Sequence, residues 1–323
     1  MGLGKRMRGF GGRAIGALAA AASLLTLSAP AAAVQPAGAP EAAASARPAP
    51  RPAIWLLEDE DTRIFLFGTT HILPATFRWR SERLNAIVLE ADELVMETAD
   101  QATFDREAMA RWMIMPKPVS ILSRVSAPRR PRLLELIEAS GLPIEAWDMF
   151  HTWAAGFMLF GVQVMQGMRE EGQADGQPFD MRKISGVERV LSAAFRRAGK
   201  PVSAVETSAQ QMAMFRGMSA PAQRAFLESM IDDGSPVGPQ AVDFDALWAS
   251  GNTDAIAAQM EALPPEIFEV LLTRRNRAWT EWLAARLDRP GTVLFAVGAG
   301  HLAGRESVQA MLARRGLRVS RVD

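Results

Sequence analysis

The chain has 323 residues, of which 49% are hydrophobic, and this is enough for one large domain or two small ones. Its 36 basic and 36 acidic residues balance, so no excess of positive charge indicates a nucleic-acid partner. Cysteine is absent, which excludes disulfides, thiolate metal sites and a cysteine nucleophile. Any bound metal would therefore need ligands from His, Asp, Glu or the backbone.

The first 33 residues have the three parts of a secretory signal peptide. A basic, glycine-rich start precedes an apolar run at residues 14–28, and small residues in an A-x-A pattern end near Ala33. The apolar run is shorter than the ~20 residues that a membrane span needs, so we expect no stable span after cleavage, the alternative being a retained anchor. Residues 34–53 are rich in Pro and Ala and are expected to form a disordered leader. The pattern predicts a secreted or periplasmic protein of Gram-negative type, with a single folded domain at residues 54–323.

The first half of the folded body begins with strands and continues mostly as helix. The apolar run at residues 63–67 predicts a buried strand. Helical spacing of apolar residues after Ser81, a plausible N-cap, predicts a helix, and a second strand follows and ends at Glu97. From residue 100 to about 180 the pattern is mostly helical. A largely helical middle region is therefore expected.

The second half repeats the order of helix, turn and strand. An amphipathic helix with Gly199 at its end precedes a strand that ends at Glu206. Further helices, a loop at residues 233–239 and a long helix from residue 265 lead to an apolar strand at 293–297, and a helix and a strand close the chain. Such alternation is typical of an α/β fold: a central, mostly parallel or mixed β-sheet flanked by helices.

Four of these strands are followed by a residue that can bind a metal or transfer a proton: His71, Glu97, Glu206 and His301. The loops after the carboxyl ends of parallel strands form the ligand crevice of open sheets, so neighbouring strands would bring these side chains together. Two His and one or two carboxylates suit a divalent metal site with an open position. A metal there would lower the pKa of a bound water, and a further carboxylate could act as general base.

Structural interpretations stand beside these functional ones. A lone His or Glu after a strand is often only a hydrogen-bonded or capping residue, and we interpret His151, which lacks this setting, as structural. Arg275 and Asn276 lie inside an otherwise apolar helix, where they could orient a substrate carbonyl or form an ion pair with the sheet. Serine-nucleophile, H-E-x-x-H and phosphate-binding glycine motifs are absent from the sequence.

Six phrases are spread over the folded body: "IFLFGTTHILP", "LVMET", "GVERVL", "AGKPVSAVET", "RRNRAW" and "VLFAVGAGHLAG". Together they resemble the TraB/GumN family, which includes the animal Tiki proteins, and most closely its secreted GumN-like branch. The resemblance implies a helix-flanked sheet related to the erythromycin esterase and ChaN-like folds. Tiki-type members are divalent-metal-dependent proteases, GumN-type members are labelled polysaccharide-biosynthesis proteins, and ChaN-like relatives bind haem. The resemblance therefore specifies the site more closely than the substrate.

The family's two Gly-x-x-His motifs and its glutamate fall on His71, His301 and Glu97. The function implied is an exported metal-dependent hydrolase, most simply a metallopeptidase acting on a peptide or protein, with Zn, Mn or Co as the divalent metal. In that hypothesis both histidines are metal ligands, and Glu97 is a ligand or general base. Glu206 is an additional or supporting ligand, and Arg275 with Asn276 positions the substrate.

Two alternatives stay open. One is a non-catalytic periplasmic accessory protein, associated with polysaccharide biosynthesis or binding haem. The other is a metal-free esterase that uses His as general base. The chain also has Glu188 where the family usually has Asp. If this carboxylate touched the site, the additional methylene of Glu would move it by roughly 1 Å. We interpret Glu188 as structural.

Overall fold

The computed structural model describes residues 50–73, 77–99, 106–174, 185–232 and 244–323. The predicted signal peptide, most of the leader and the loop predicted at 233–239 lie outside these residues. Six strands form one sheet: β1 (Ile54–Glu58), β2 (Thr62–Thr69), β3 (Glu93–Met96), β4 (Val202–Ala204), β5 (Gly291–Gly298) and β6 (Val319–Arg321). Their order across the sheet is β4-β3-β5-β2-β1-β6. The N-terminal strand β1 was not predicted from the sequence.

Four neighbouring strands of the sheet run in the same direction. β2 pairs in parallel with β5, β5 with β3, and β3 with β4. β1 pairs antiparallel with both β2 and β6, which makes the sheet mixed. The predicted α/β class with a mostly parallel or mixed sheet is therefore confirmed, and the carboxyl ends of four strands lie at one edge.

Helices cover both faces of this sheet and also form the middle region. In chain order they are α1 (Glu82–Glu90), α2 (Arg106–Met113), α3 (Arg130–Ala139), α4 (Ile144–Asp148), α5 (Thr152–Ala174), α6 (Val187–Arg197), α7 (Ser208–Arg216), α8 (Ala220–Ser229), α9 (Phe244–Ala249), α10 (Thr253–Glu261), α11 (Pro265–Phe268), α12 (Arg274–Arg286) and α13 (Val308–Arg314). The predicted cap of α1 is confirmed, since the Ser81 side chain accepts a hydrogen bond from the backbone N–H of Leu84. None of the described helices is long and apolar enough to cross a membrane.

The long helix predicted from residue 265 is interrupted. A π-helical turn, Glu269–Thr273, separates α11 from α12. Such turns are rare and are frequent at functional sites, because one extra residue per turn changes the direction of the side chains around it. The turn is therefore a structural feature that helical periodicity alone did not reveal.

Within the part of the chain that the structure describes, the core consists of three groups of buried side chains. Along β2, Phe65 and Phe67 belong to the group packed under α1 and α6, whereas Ile64 and Leu66 belong to the group under α12 and α13. This alternation buries both faces of the central strands and explains their continuous apolar runs. The third group fills the helical middle region between α3, α5 and α8.

Phe295 provides a test of the sheet core. It is fully buried in β5, with its ring centroid 6.0 Å from that of Trp279 and 5.8 Å from that of Trp282. We expect Phe295→Ala to lower the free energy of unfolding by about 3–5 kcal/mol, because it removes a large ring and leaves a cavity. Urea unfolding followed by circular dichroism measures this. Leu89, which is 78% exposed, is the control, and Leu89→Ala should change stability by less than about 0.5 kcal/mol. Equal effects of the two variants would contradict this packing.

Candidate active site

The residues that follow the four parallel strands meet at one edge of the sheet. Together with one helical arginine they form what we call the strand-end cluster: His71, Glu97, Glu206, Arg275 and His301. Gly298, the last residue of β5, marks the point where they converge. A Cβ atom built there would lie 3.1 Å from Oε1 of Glu97, 3.6 Å from Cδ2 of His301 and 3.9 Å from Nε2 of His71. The structure thus brings the sequence-predicted residues into one place.

A buried guanidinium, that of Arg275, occupies the centre of the cluster. Its Nε lies 2.9 Å from Oε1 of Glu206, and its Nη2 lies 2.8 Å from Oε2 of the same side chain and 2.5 Å from Oε2 of Glu97. Burial alone would lower the pKa of Arg275, but the two carboxylates outweigh it and raise the pKa above its usual range. The fork geometry makes the contact with Glu206 bidentate, which is the strong form of such a pair.

The imidazole of His301 is held in one tautomer. Nη1 of Arg275 lies 3.0 Å from Nε2 of His301, and a guanidinium can only donate, so Nε2 is the acceptor. The proton is therefore on Nδ1, which lies 2.6 Å from Oδ1 of Asn276 and donates to it. The Asn276 amide is fixed in turn, because its Nδ2 donates to the backbone oxygen of Glu306 at 2.7 Å. Burial and then the nearby Arg275 charge lower the pKa of His301 to about 3, which keeps the ring neutral.

Glu97 is fixed as a carboxylate. Its Oε1 accepts a hydrogen bond from the backbone N–H of Gly298 at 2.7 Å, and its Oε2 accepts from Arg275 and from Nε2 of Gln211. Burial alone would raise the pKa of Glu97, but Arg275 outweighs it and holds the pKa well below the usual range. Glu97 is therefore ionised throughout the physiological pH range.

Two residues that support Glu206 were missed by the sequence analysis. Nε1 of Trp279 donates to Glu206 at 2.9 Å, and Nε2 of Gln211 does so at 3.1 Å. Trp279 lies four residues after Arg275 on the same helix, so the i, i+4 spacing in "RRNRAW" was an available signal. Gln211 lies in α7 without a comparable pattern.

His71 differs from His301 in both exposure and charge. Its side chain is 59% exposed, and its Nδ1 lies 2.8 Å from Oε1 of Glu188, to which the hydroxyl of Thr69 also donates. The negative charge of Glu188 raises the pKa of His71 to about 9. Glu188, which the sequence analysis interpreted as structural, thus contacts this histidine from the first turn of α6.

The ligands expected for a metal are already engaged in this arrangement. Arg275 donates hydrogen bonds to Nε2 of His301 and to Oε2 of Glu97, and Nδ1 of His71 is paired with the carboxylate of Glu188. Within the described residues no group of three or more His, Asp or Glu side chains is arranged to hold a metal ion. While these hydrogen bonds are in place, the three side chains do not offer a divalent metal a shared set of free ligand atoms. The metal stays a prediction from the sequence.

A pocket of about 220 Å³ opens onto the cluster. Its polar side is formed by His71, Glu97, Gln211 and Arg275. Its walls are apolar and consist mainly of Met113, Phe157, Met158, Phe160, Met212, Met214, Phe215, Val270 and Leu271. Glu206, Asn276, His301 and His151 are not among the lining residues. Glu206, Asn276 and His301 therefore lie behind the groups that face the pocket and hold them in place. His151 is still interpreted as structural.

Gly186 tests the contact between α6 and the histidine loop. A Cβ at Gly186 would lie 2.5 Å from the backbone oxygen of His71, a distance that requires the backbone to move. We expect Gly186→Ala to lower the free energy of unfolding by about 1–3 kcal/mol through this overlap. Gly167 in α5 is the matched control, because a Cβ there meets nothing within 4 Å. Gly167→Ala should stabilise by about 0.5–1 kcal/mol. Thermal unfolding of both variants measures the difference, and a stabilised Gly186→Ala would contradict the contact.

Comparison of the sequence with known protein families identifies one matching family. The model of the TraB/PrgY/gumN family matches residues 53–321, which include every strand and the whole strand-end cluster. No curated protein and no solved structure matches the chain. The match covers most of the sequence, and the chain belongs to the TraB/PrgY/gumN family.

Proposed function

We propose that this protein is a hydrolase that cleaves an ester or amide bond at the polar side of the pocket. One observation carries the proposal: His71 and Glu97 lie side by side at Gly298, both facing the pocket, and each is oriented by a separate partner. Glu188 holds the imidazole through Nδ1, which leaves Nε2 directed toward the cluster. Gly298 and Arg275 hold the carboxylate. Hydrolysis of an ester or amide bond is commonly catalysed by an oriented pair of a general acid and a general base.

The two groups suit opposite steps. Glu97 accepts a proton from the attacking water as the water oxygen bonds to the carbonyl carbon. His71 donates its Nε2 proton to the leaving oxygen or nitrogen as the bond to the carbonyl carbon breaks. The proton on Glu97 then returns to His71 through water, which restores both groups. The surroundings keep Glu97 ionised and His71 protonated, so each group starts in the protonation state that its role needs.

A metal-dependent peptidase is the second candidate, as the resemblance to Tiki-type members implies. The observation that favours it is the short distance of 3.7 Å between Nε2 of His301 and Oε1 of Glu97. In such a site both histidines and Glu97 would hold the ion, which would act as a Lewis acid on the carbonyl. Arg275 would first have to move away. For either candidate the N-terminal pattern leads us to propose a site of action outside the cytoplasm.

Activity variants test the roles of His71 and Glu97. Purified protein is assayed against a panel of nitrophenyl esters and a fluorogenic peptide library. We expect His71→Ala and Glu97→Gln each to lower kcat/KM by about 10²–10⁴-fold, because each removes one proton-transfer group. The third histidine supplies the control, and His151→Ala should keep near-normal turnover. Full activity in His71→Ala would contradict the assignment, and no turnover on any substrate would favour the accessory-protein alternative.

Metal content separates the two candidates. Mass spectrometry is performed on the purified protein and on the His71→Ala/His301→Ala double variant, and turnover is measured with and without a chelator. Because Arg275 engages the ligands, we expect no stoichiometric metal and chelator-resistant activity. Near-stoichiometric zinc, manganese or cobalt that disappears in the double variant would instead establish the metal-dependent candidate.

A further inference from the structure

We infer that the substrate is an acyl compound whose apolar group, about as large as a phenyl ring or a medium-length alkyl chain, enters the pocket beside His71. The inference rests on the proposed function and adds the chemical class of its substrate. It is carried by the lining of the pocket, which is apolar except at the end formed by His71, Glu97, Gln211 and Arg275. Ligand pockets usually combine such walls with a few convergent polar groups.

The volume limits the size of this group. An engineered cavity of about 150 Å³ lined by aliphatic and aromatic side chains binds benzene. The present pocket of about 220 Å³ is somewhat larger. It therefore takes a ring with a short linker, or a chain of about eight carbons by the same comparison.

The walls are built from adaptable side chains. Four of them are methionines, Met113, Met158, Met212 and Met214, which come from three separate helices. Methionine has an unbranched, polarisable side chain that fits irregular partners and tolerates different shapes. The pocket is thus suited to bind apolar groups of a certain size rather than groups of one particular shape.

The π-helical turn connects the apolar wall with the polar end. Val270 and Leu271 of this turn line the pocket, and the backbone oxygen of Leu271 accepts a hydrogen bond from Nη1 of Arg275 at 3.2 Å. The same guanidinium holds Glu97. An apolar group seated against Leu271 therefore places the atoms attached to it beside Arg275 and Glu97. A carbonyl carbon in that position would meet the groups that the proposed reaction uses.

Binding of simple carboxylates tests this inference without turnover. Isothermal titration calorimetry compares straight-chain carboxylates from acetate to dodecanoate on the purified protein and on the control variant Leu89→Ala. We expect affinity to rise about fourfold per methylene and to level off near eight carbons, because each methylene buries further apolar surface until the pocket is full. The series should behave alike in Leu89→Ala, since that side chain is exposed on α1 and does not line the pocket. An affinity independent of chain length would overturn the inference.

A filled pocket supplies the second measurement. Met214 is only partly buried, so Met214→Trp adds bulk at the wall where the fold can accommodate it, and we expect octanoate affinity to fall at least tenfold. Leu89→Trp adds the same ring on an exposed face of α1 and should leave octanoate affinity unchanged. Circular dichroism verifies that both variants are folded. Unchanged binding in a folded Met214→Trp variant overturns the pocket assignment. Chain-length-dependent binding with no turnover on any substrate supports the pocket and overturns the proposed function alone.

Discussion

The site depends on one buried positive charge between two buried negative ones. Glu97 follows β3, Glu206 follows β4, and Arg275 comes from α12, so the ion pairs join two strands and a helix that are far apart in the chain. Burying an unpaired charge is costly, and removing one partner of such a group leaves the others uncompensated. The guanidinium therefore links the ends of β3 and β4 to α12, and its remaining hydrogen bonds are with His301 and the backbone oxygen of Leu271.

The interruption of the long helix lies directly before the arginine that contacts all these partners. Successive residues of an α-helix differ by about 100° around its axis, so the wider π-helical turn changes which side chains share a face. Leu271 and Arg275 both line the pocket, and Arg275 also reaches the carboxylates of the cluster. Asn276, the next residue, is buried against His301. The turn thus places an apolar wall and a charged site on neighbouring surfaces of a single helix.

The sequence predicted this site where local patterns determine it and not where tertiary packing does. Apolar runs located the strands that lead to His71, Glu97, Glu206 and His301, and parallel pairing then implies their convergence. The contact of Arg275 with Glu97 joins residues 178 positions apart, and no local pattern records which helix packs over a strand end. The same holds for Gln211 and for the contact of Glu188 with His71. Two roles were predicted for Arg275: orienting a substrate, or forming an ion pair with the sheet. The ion pair is observed, and the guanidinium also lines the pocket.

The histidines of the two Gly-x-x-His phrases differ in charge and exposure because different side chains contact their ring nitrogens. His301 has an amide on one nitrogen and a guanidinium on the other, and this combination holds the ring neutral and buried. His71 has a carboxylate on one nitrogen and the pocket on the other side, which favours the protonated ring. A repeated motif therefore does not imply a repeated role. The buried histidine contacts Arg275, which in turn holds Glu97, whereas the exposed one faces the pocket, where the proposed reaction would take place. In the proposed hydrolase, groups fixed in this way before a substrate binds would need little reorganisation during the reaction, and such preorganisation is a main source of electrostatic stabilisation in enzymes.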